Sequence, residues 1–151
     1  MPRPKVLSAA AIEHYVGIPY RDKGLTLEGV NCWGLVRLIY FDVLGVVLPT
    51  YQAAYDNSDD DGIGGLIRRE SRNWQAVGVK DARPMDLLCA WVKDRDRPPT
   101  HVGVCLGGGD MISARRPRVC VEPYLTGFWE TRVVECYRHD SSLAGLRAGG
   151  A

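Results

Sequence analysis

The residues best suited to chemistry are Cys32 and His101. A cysteine attacks a carbonyl group as its thiolate, and a helix start stabilises that anion because its unpaired backbone N–H groups point outward. Cys32 follows Asn31, a preferred helix cap, and opens a long apolar run. His101 opens a predicted strand, from which an imidazole can accept the thiol proton. The pattern predicts a cysteine hydrolase with Cys32 as nucleophile and His101 as general base, assisted by the Cys32 backbone N–H at an oxyanion.

The elements that must position this pair begin with two helices. Apolar residues at helical spacing predict the first helix over residues 6–16, with Gly17 as its stop signal. The second helix is predicted to begin at Cys32 and to end at Gly45. Residues 46–60 are predicted to form a long irregular loop, followed by a short amphipathic helix that carries Ile63, Leu66 and Ile67.

Short β-branched or alternating runs then replace the helical pattern. They cover residues 86–92, 101–106, 110–113, 119–123 and 132–137. Helices followed by strands favour an α+β fold with an antiparallel sheet of about five strands. The glycine-rich stretch from Leu106 to Asp110 joins two of these strands, so we interpret it as a hairpin turn and not as a phosphate loop. We predict one domain over residues 1–138 and a C-terminal tail over residues 139–151.

Composition excludes several classes of function. The 151 residues carry a formal net charge of +1, so no overall field favours nucleic acid or anionic lipid. No apolar run approaches the roughly 20 residues of a membrane span, so we expect no membrane insertion. The apolar stretch near the N-terminus is short and stops at Glu13, which argues against a signal peptide.

The five cysteines form no C-x-x-C pair and are odd in number, so free thiols are expected. Those after Cys32 recur at nearly even intervals, which leaves a metal or iron–sulfur site as a weaker alternative to core thiols. The acidic run before Gly62 lacks the Asp and Glu that a calcium loop needs at its ends. We therefore predict no metal and no cofactor.

Several segments together resemble the NlpC/P60 family of cell-wall peptidases over roughly residues 6–138. The segments are Gly17-Ile18-Pro19-Tyr20, Asn31-Cys32-Trp33-Gly34-Leu35-Val36, His101-Val102-Gly103-Val104-Cys105-Leu106-Gly107 and Asp110-Met111-Ile112-Ser113-Ala114. The resemblance implies a papain-like fold, with the helices packed on the sheet. It also implies hydrolysis of peptidoglycan stem peptides, typically at a γ-D-glutamyl–diamino-acid bond.

The resemblance also implies roles for individual residues. Cys32 is the expected nucleophile and His101 the expected base, and Tyr20, Asn31 and Trp33 are expected near the substrate or the oxyanion. The family usually has Asp where this chain has Asn31. The residue that orients the base usually lies twelve positions past it and is most often His, whereas this chain has Ser113. A hydroxyl brings no charge and has less reach, so we expect a weakened triad of Cys32, His101 and Ser113, or a Cys–His dyad assisted by Ser113 or by water.

The Cys-Trp-Gly-Leu-Val segment and the long loop after the helix resemble tail-tip components of long-tailed phages. This implies that a virion carries the hydrolase to the host cell wall, with other tail-tip or baseplate proteins as partners. One alternative is a structural tail-tip subunit with the same fold and little or no turnover. A weaker alternative is a cytosolic thiol amidase or acyltransferase, although related lipid-modifying enzymes place His before Cys in the chain.

Overall fold

The computed structural model describes residues 6–50, 70–92 and 99–139. Two helices, α1 (Ala9–Tyr15) and α2 (Cys32–Leu44), flank a small antiparallel pair, β1 (Leu25–Thr26) and β2 (Gly29–Val30). The main strands are β3 (Trp74–Val77), β4 (Leu87–Ala90), β5 (His101–Gly107), β6 (Asp110–Arg115), β7 (Arg118–Pro123) and β8 (Val133–His139). The predicted helix around residues 63–67, most of the predicted loop before it and all but the first residue of the predicted tail lie outside the described residues.

Local capping signals decide where the helices begin and end. The Ser8 hydroxyl accepts a hydrogen bond from the Ala11 N–H at 3.1 Å, so α1 starts later than the predicted residue 6. Gly45 adopts a left-handed conformation (φ +69°) directly after α2, and its N–H donates to the Phe41 carbonyl. The predicted start of α2 at Cys32 and its end before Gly45 are therefore confirmed. Within the described residues, neither helix is long and apolar enough to cross a membrane.

The main sheet confirms the α+β prediction but has one strand more than expected. Its six strands lie in the order β3-β8-β4-β5-β6-β7, and every neighbouring pair is antiparallel. The additional strand is β3, which pairs with β8 from Trp74 opposite His139 to Val77 opposite Cys136. Its two middle residues are exposed, so this short edge strand has no alternating apolar pattern that the sequence could reveal.

The sheet has an apolar core on each face. We call the side that packs against α2 the near face and the opposite side the far face. Val102 and Val104 of β5 lie on the near face with Leu35 of α2. Cys105 of the same strand lies on the far face with Trp129. Because successive residues of a strand point to opposite faces, His101 belongs with Cys105 and not with Val102.

A buried ion pair fastens β8 to the residue that precedes β4. Arg138 donates through Nε and Nη2 to the two carboxylate oxygens of Asp86, at 2.9 and 2.8 Å. Their side chains are only 8% and 1% exposed. The Asp86 carboxylate also accepts the Arg83 N–H at 2.8 Å. The pair is thus satisfied on both sides, as a buried charge must be.

The segment that carries Tyr20 is attached to the hairpin between β6 and β7. The Gly17 N–H donates to the Val119 carbonyl at 3.0 Å, and the Val119 N–H donates to the Ile18 carbonyl at 2.9 Å. The Tyr20 N–H donates to the Pro117 carbonyl at 2.9 Å. Backbone hydrogen bonds to an edge strand therefore position this loop.

Candidate active site

Cys32 occupies the first position of α2, where the backbone is set by the preceding residue. Asn31 accepts the Gly34 N–H on its side-chain Oδ1 at 2.6 Å, which is the standard N-cap bond. The loop before the helix packs closely on its first turn, because a Cβ atom added to Gly34 would lie 2.0 Å from the Gly24 carbonyl oxygen. The Cys32 side chain is 5% exposed. The nucleophile position is therefore rigid and nearly closed.

The sulfur of Cys32 lies where the start of α2 meets β5. Burial raises the pKa of this thiol to about 11, although the backbone N–H groups of Val102, Trp33 and Cys32 itself act in the opposite direction. The Val102 N–H belongs to the peptide group that joins it to His101, so the sulfur lies against the first peptide of β5. Cys32 is a protonated thiol at neutral pH and requires a base, and three N–H groups are in place to stabilise the anion once it forms.

The imidazole of His101 is 4% exposed and packs on the far face. Its ring lies parallel to the Trp129 indole, with the ring centroids 5.0 Å apart and 13° between the planes. Burial and, to a smaller extent, the Arg115 cation lower the pKa of His101 to about 4, against an opposite effect of Glu122. The imidazole is therefore neutral at neutral pH, which is the form that can accept a proton.

Both groups are uncharged at neutral pH in this structure. A protonated thiol and a neutral imidazole can act in concert, with the proton moving to His101 as the sulfur attacks a carbonyl carbon. The alternative, a thiolate paired with an imidazolium before substrate arrives, is disfavoured by the pKa of Cys32 near 11 and of His101 near 4. These pKa values favour proton transfer during attack over a resting ion pair. The buried Nε2 atom of His101 has no hydrogen-bond partner among the described residues, so the structure shows no hydrogen bond from it to the Cys32 sulfur.

Ser113 does not make the hydrogen bond that would orient His101. It lies on β6 with 0% exposure, and a Cβ atom added to Gly103 would lie 3.0 Å from the Ser113 Cβ. Among the described residues, the Ser113 hydroxyl and the Nε2 atom of His101 are both buried without a hydrogen-bond partner. The expected hydrogen bond between them is therefore absent, in keeping with the short reach of a serine hydroxyl, which extends only one bond beyond Cβ. A catalytic role for Ser113 stays a prediction.

The three residues expected near the substrate occupy different environments. Tyr20 is half-buried, and the Arg116 guanidinium lies 4.7 Å from the centre of its ring. Asn31 is fully buried in its capping role. Trp33 is 2% exposed, and its indole N–H donates to the Pro49 carbonyl at 2.8 Å. Asn31 and Trp33 thus hold the nucleophile loop and helix in place, and contact of any of the three with substrate stays a prediction.

Sequence reasoning missed the residues that surround His101 on the far face. Trp129 is fully buried in the short 3₁₀ turn Gly127–Trp129, between β7 and β8. Arg115 forms two hydrogen bonds to Glu122, at 2.8 and 2.5 Å. The Phe128-Trp129 aromatic pair in a turn was the one local signal, and it does not reveal which distant residue the indole meets.

The cysteines are all free thiols, and only Cys120 is not buried. Their neighbours differ: Cys105 lies 3.6 Å from the Tyr124 hydroxyl, Cys136 lies 3.8 Å from an Asp86 carboxylate oxygen, and Cys120 donates to Glu122 at 3.2 Å. No group of three or more potential metal ligands occurs within residues 6–50, 70–92 and 99–139.

Comparison with known proteins places this geometry in a family. The sequence pattern of the NlpC/P60 family matches residues 17–138, from the glycine before the Tyr20 loop to the end of the sheet. This chain belongs to the NlpC/P60 family. The match includes α2 and its Cys32, β5 and its His101, and the β6–β7 hairpin.

One relative in sequence is the gamma-DL-glutamyl hydrolase of Bacillus subtilis strain 168. It is 28% identical over 135 residues, which are 85% of this chain and 28% of that hydrolase. A solved NlpC/P60 family protein of Bacillus cereus ATCC 10987 shares the fold, with a TM-score of 0.64 and 22% identity over 86% of this chain and 38% of that one. The chain therefore spans well under half the length of these two relatives.

A third comparison matches this chain along most of both lengths. The NlpC/p60 domain of the peptidoglycan hydrolase SagA has a TM-score of 0.60 and 25% identity, over 85% of this chain and 92% of that domain. The papain-like α+β architecture of the NlpC/P60 family is thus present, with a six-stranded sheet.

Proposed function

We propose that this chain is a cysteine peptidase that hydrolyses the stem peptides of peptidoglycan, with a γ-D-glutamyl–diamino-acid bond as the expected target. The observation that carries the proposal is the position of the Cys32 sulfur between the start of α2 and the His101–Val102 peptide of β5. The names of two relatives support the substrate class, since one is a peptidoglycan hydrolase and the other a gamma-DL-glutamyl hydrolase.

The proposed reaction has two steps. The Cys32 sulfur attacks the carbonyl carbon of the stem peptide while His101 takes the thiol proton, and the backbone N–H of Cys32 donates to the oxyanion. The C–N bond then breaks, His101 returns the proton to the leaving amine, and a thioester remains on Cys32. His101 next removes a proton from water, whose oxygen attacks the thioester carbon. The C–S bond then breaks, and His101 returns the proton to the Cys32 sulfur, which leaves the carboxylic acid and the free thiol. No cofactor takes part.

The experiment that tests this reaction is digestion of purified peptidoglycan, with the released muropeptides identified by mass spectrometry. We expect Cys32→Ala to abolish release by at least about a thousandfold while leaving the unfolding midpoint close to that of the parent chain. Cys105→Ala is the matched control, because it removes another buried thiol, which β5 carries on the far face of the sheet. Equal digestion by the parent and by Cys32→Ala would rule out the mechanism.

We also propose that a phage tail tip carries this hydrolase to the host cell wall, in contact with other tail-tip or baseplate proteins. The support is the resemblance of residues 32–36 to the nucleophile segment of such components. Mass spectrometry of purified virions, with labelled antibody to locate the chain by electron microscopy, tests the proposal. Detection at the tail tip is the expected result, and absence from virions that infect normally would contradict it.

A structural tail-tip subunit with little turnover is the second candidate function. Two observations favour it: Ser113 makes no hydrogen bond to His101, and the Cys32 thiol is buried with a raised pKa. The two candidates differ in the behaviour of virions that carry Cys32→Ala. A peptidase predicts normal assembly with loss of muropeptide release, whereas a structural subunit predicts that parent and variant virions are alike in assembly, wall digestion and infectivity.

A further inference from the structure

The ring of the proposed base packs against an aromatic side chain. Trp129 presents its indole face to the His101 ring across 5.0 Å, with 13° between the planes. The indole is 0% exposed, so it shields one whole face of the imidazole from water. Such parallel packing fixes the plane of a histidine ring as a hydrogen bond would, although it leaves rotation within that plane to other contacts.

Trp129 is itself held in place by its neighbours. Phe128 packs edge-to-face on its ring, with the centroids 4.8 Å apart and 86° between the planes. The Arg115 guanidinium lies 5.5 Å from the centre of the Trp129 ring. Arg115 is in turn fixed by its two hydrogen bonds to Glu122. The indole therefore belongs to a rigid cluster that joins β6, β7 and the 3₁₀ turn.

At the position that usually holds an orienting residue, this chain has Ser113, which makes no hydrogen bond to His101 in the structure. Ser113 lies on β6 behind Gly103, and its hydroxyl makes no hydrogen bond to a described residue. The Nε2 atom of His101 is likewise buried and unpartnered among the described residues. Orientation of the imidazole must therefore come from packing.

We propose that Trp129 is the positioning residue for His101. Ring stacking on Trp129, and not a hydrogen bond from Ser113, sets the plane of the imidazole. The proposal rests on the proposed function, since it concerns how the base is aimed at the Cys32 thiol. Stacking supplies no negative charge, so it orients the ring without stabilising an imidazolium. This agrees with the burial that keeps the pKa of His101 low. It also explains how the chain can dispense with a second histidine.

Two substitutions separate ring stacking from simple filling of space. Trp129→Phe keeps a flat ring, whereas Trp129→Leu keeps an apolar side chain without one. Trp74→Leu is the matched control, because it removes a nearly buried tryptophan from β3 at the opposite edge of the sheet. The readouts are kcat and KM for muropeptide release and an NMR titration of the His101 ring, assigned by its loss in His101→Gln.

For Trp129→Leu we expect kcat to fall about tenfold or more with KM within about twofold, because a misaimed base weakens the transition state and not substrate binding. The pKa of His101 should move from about 4 toward its ordinary value of 6.5. Trp129→Phe should recover most of the activity, and Trp74→Leu should leave kcat and the titration unchanged.

An unchanged His101 titration in Trp129→Leu, or a kcat no lower than that of Trp74→Leu, would overturn the proposal. If Trp129→Leu does not fold, Trp129→Met takes its place as the apolar side chain without a ring. A kcat about tenfold or more below that of Trp129→Phe then supports the stack, and equal kcat values for the two variants contradict it. A parent chain that releases no muropeptides contradicts the proposed function. The His101 titrations of the parent and of Trp129→Leu then test the stacking of Trp129 on His101 without any activity measurement.

Discussion

The two reactive groups have different surroundings, because they lie on opposite faces of the sheet. On the near face, the Cys32 sulfur lies in an apolar core, and only backbone N–H groups favour its anion. On the far face, the His101 ring lies against an indole beside the charged pair of Arg115 and Glu122. The nucleophile is thus controlled by a local feature, a helix start, and the base by contacts between distant segments.

The largest expected effect concerns the buried ion pair of Arg138 and Asp86 on the far face. Arg138→Met leaves Asp86 buried without its countercharge, which costs about 3–5 kcal/mol in the free energy of unfolding. Ile39→Val in the near-face core should cost about 0.5–1.5 kcal/mol, because it removes one methylene. Urea unfolding at neutral pH measures both. Equal losses in the free energy of unfolding for the two variants would show that breaking the ion pair costs no more than removing one methylene from the core.

The next effect is the pH dependence of stability that His101 creates. Its pKa is about 4 in the native chain and ordinarily 6.5, so the unfolded chain binds the proton first as the pH falls. The stabilising contribution is complete above pH 6.5 and is lost as the pH falls toward 4, up to about 3 kcal/mol.

Urea unfolding at a series of pH values, compared between the parent chain and His101→Leu, measures this contribution. The parent should lose more stability than the variant between pH 6.5 and 4. His14→Gln is the control, because His14 is exposed at the end of α1 and should keep the parent's pH dependence. Parallel curves for the parent and His101→Leu would mean that His101 is not buried as a neutral ring.

A smaller effect tests whether the charge of Arg115 changes the pKa of His101. Arg115→Met removes the cation that lowers the pKa of His101, so this pKa should rise, though less than in Trp129→Leu. The pKa of Glu122, held at about 2 chiefly by its hydrogen bonds from Arg115, should rise as well. NMR titration measures both groups.

Arg132→Met is the control for this substitution. Arg132 lies 4.4 Å from the centre of the Phe128 ring, whereas the pKa of His101 is set chiefly by burial, Arg115 and Glu122. An equal rise of the His101 pKa in the two variants would attribute the effect to disturbed packing and not to charge.

The smallest expected effect is at the position that the family pattern singled out. Ser113→Ala should change kcat/KM by less than about twofold, because it removes a hydroxyl that makes no hydrogen bond to any described residue. The unfolding free energy should stay equal or rise slightly, since a buried unpaired group is lost. A tenfold loss of kcat/KM would show instead that Ser113 contacts His101 during turnover.

Prediction from the sequence succeeded where the signal was local or belonged to a family pattern. Asn31 and Gly45 define the ends of α2 through their own capping preferences, so the position of Cys32 at a helix start was readable. It failed for β3, whose middle residues are exposed. The weaker contact of Ser113 was expected from its shorter reach, but the complete lack of a hydrogen bond to His101 depends on how β5 and β6 place the two side chains.

By itself, the sequence determined the α+β class, the place of Cys32 at the start of α2 and the place of His101 at the start of β5. These follow from capping, periodicity and spacing, which act over a few residues. Only the tertiary structure decided what surrounds the imidazole. Trp129 is 28 positions away from it, and the pairing of the two rings depends on how β5, β6 and the turn after β7 pack together. The residue that aims the base is therefore set by long-range packing, which leaves no periodic trace along the chain.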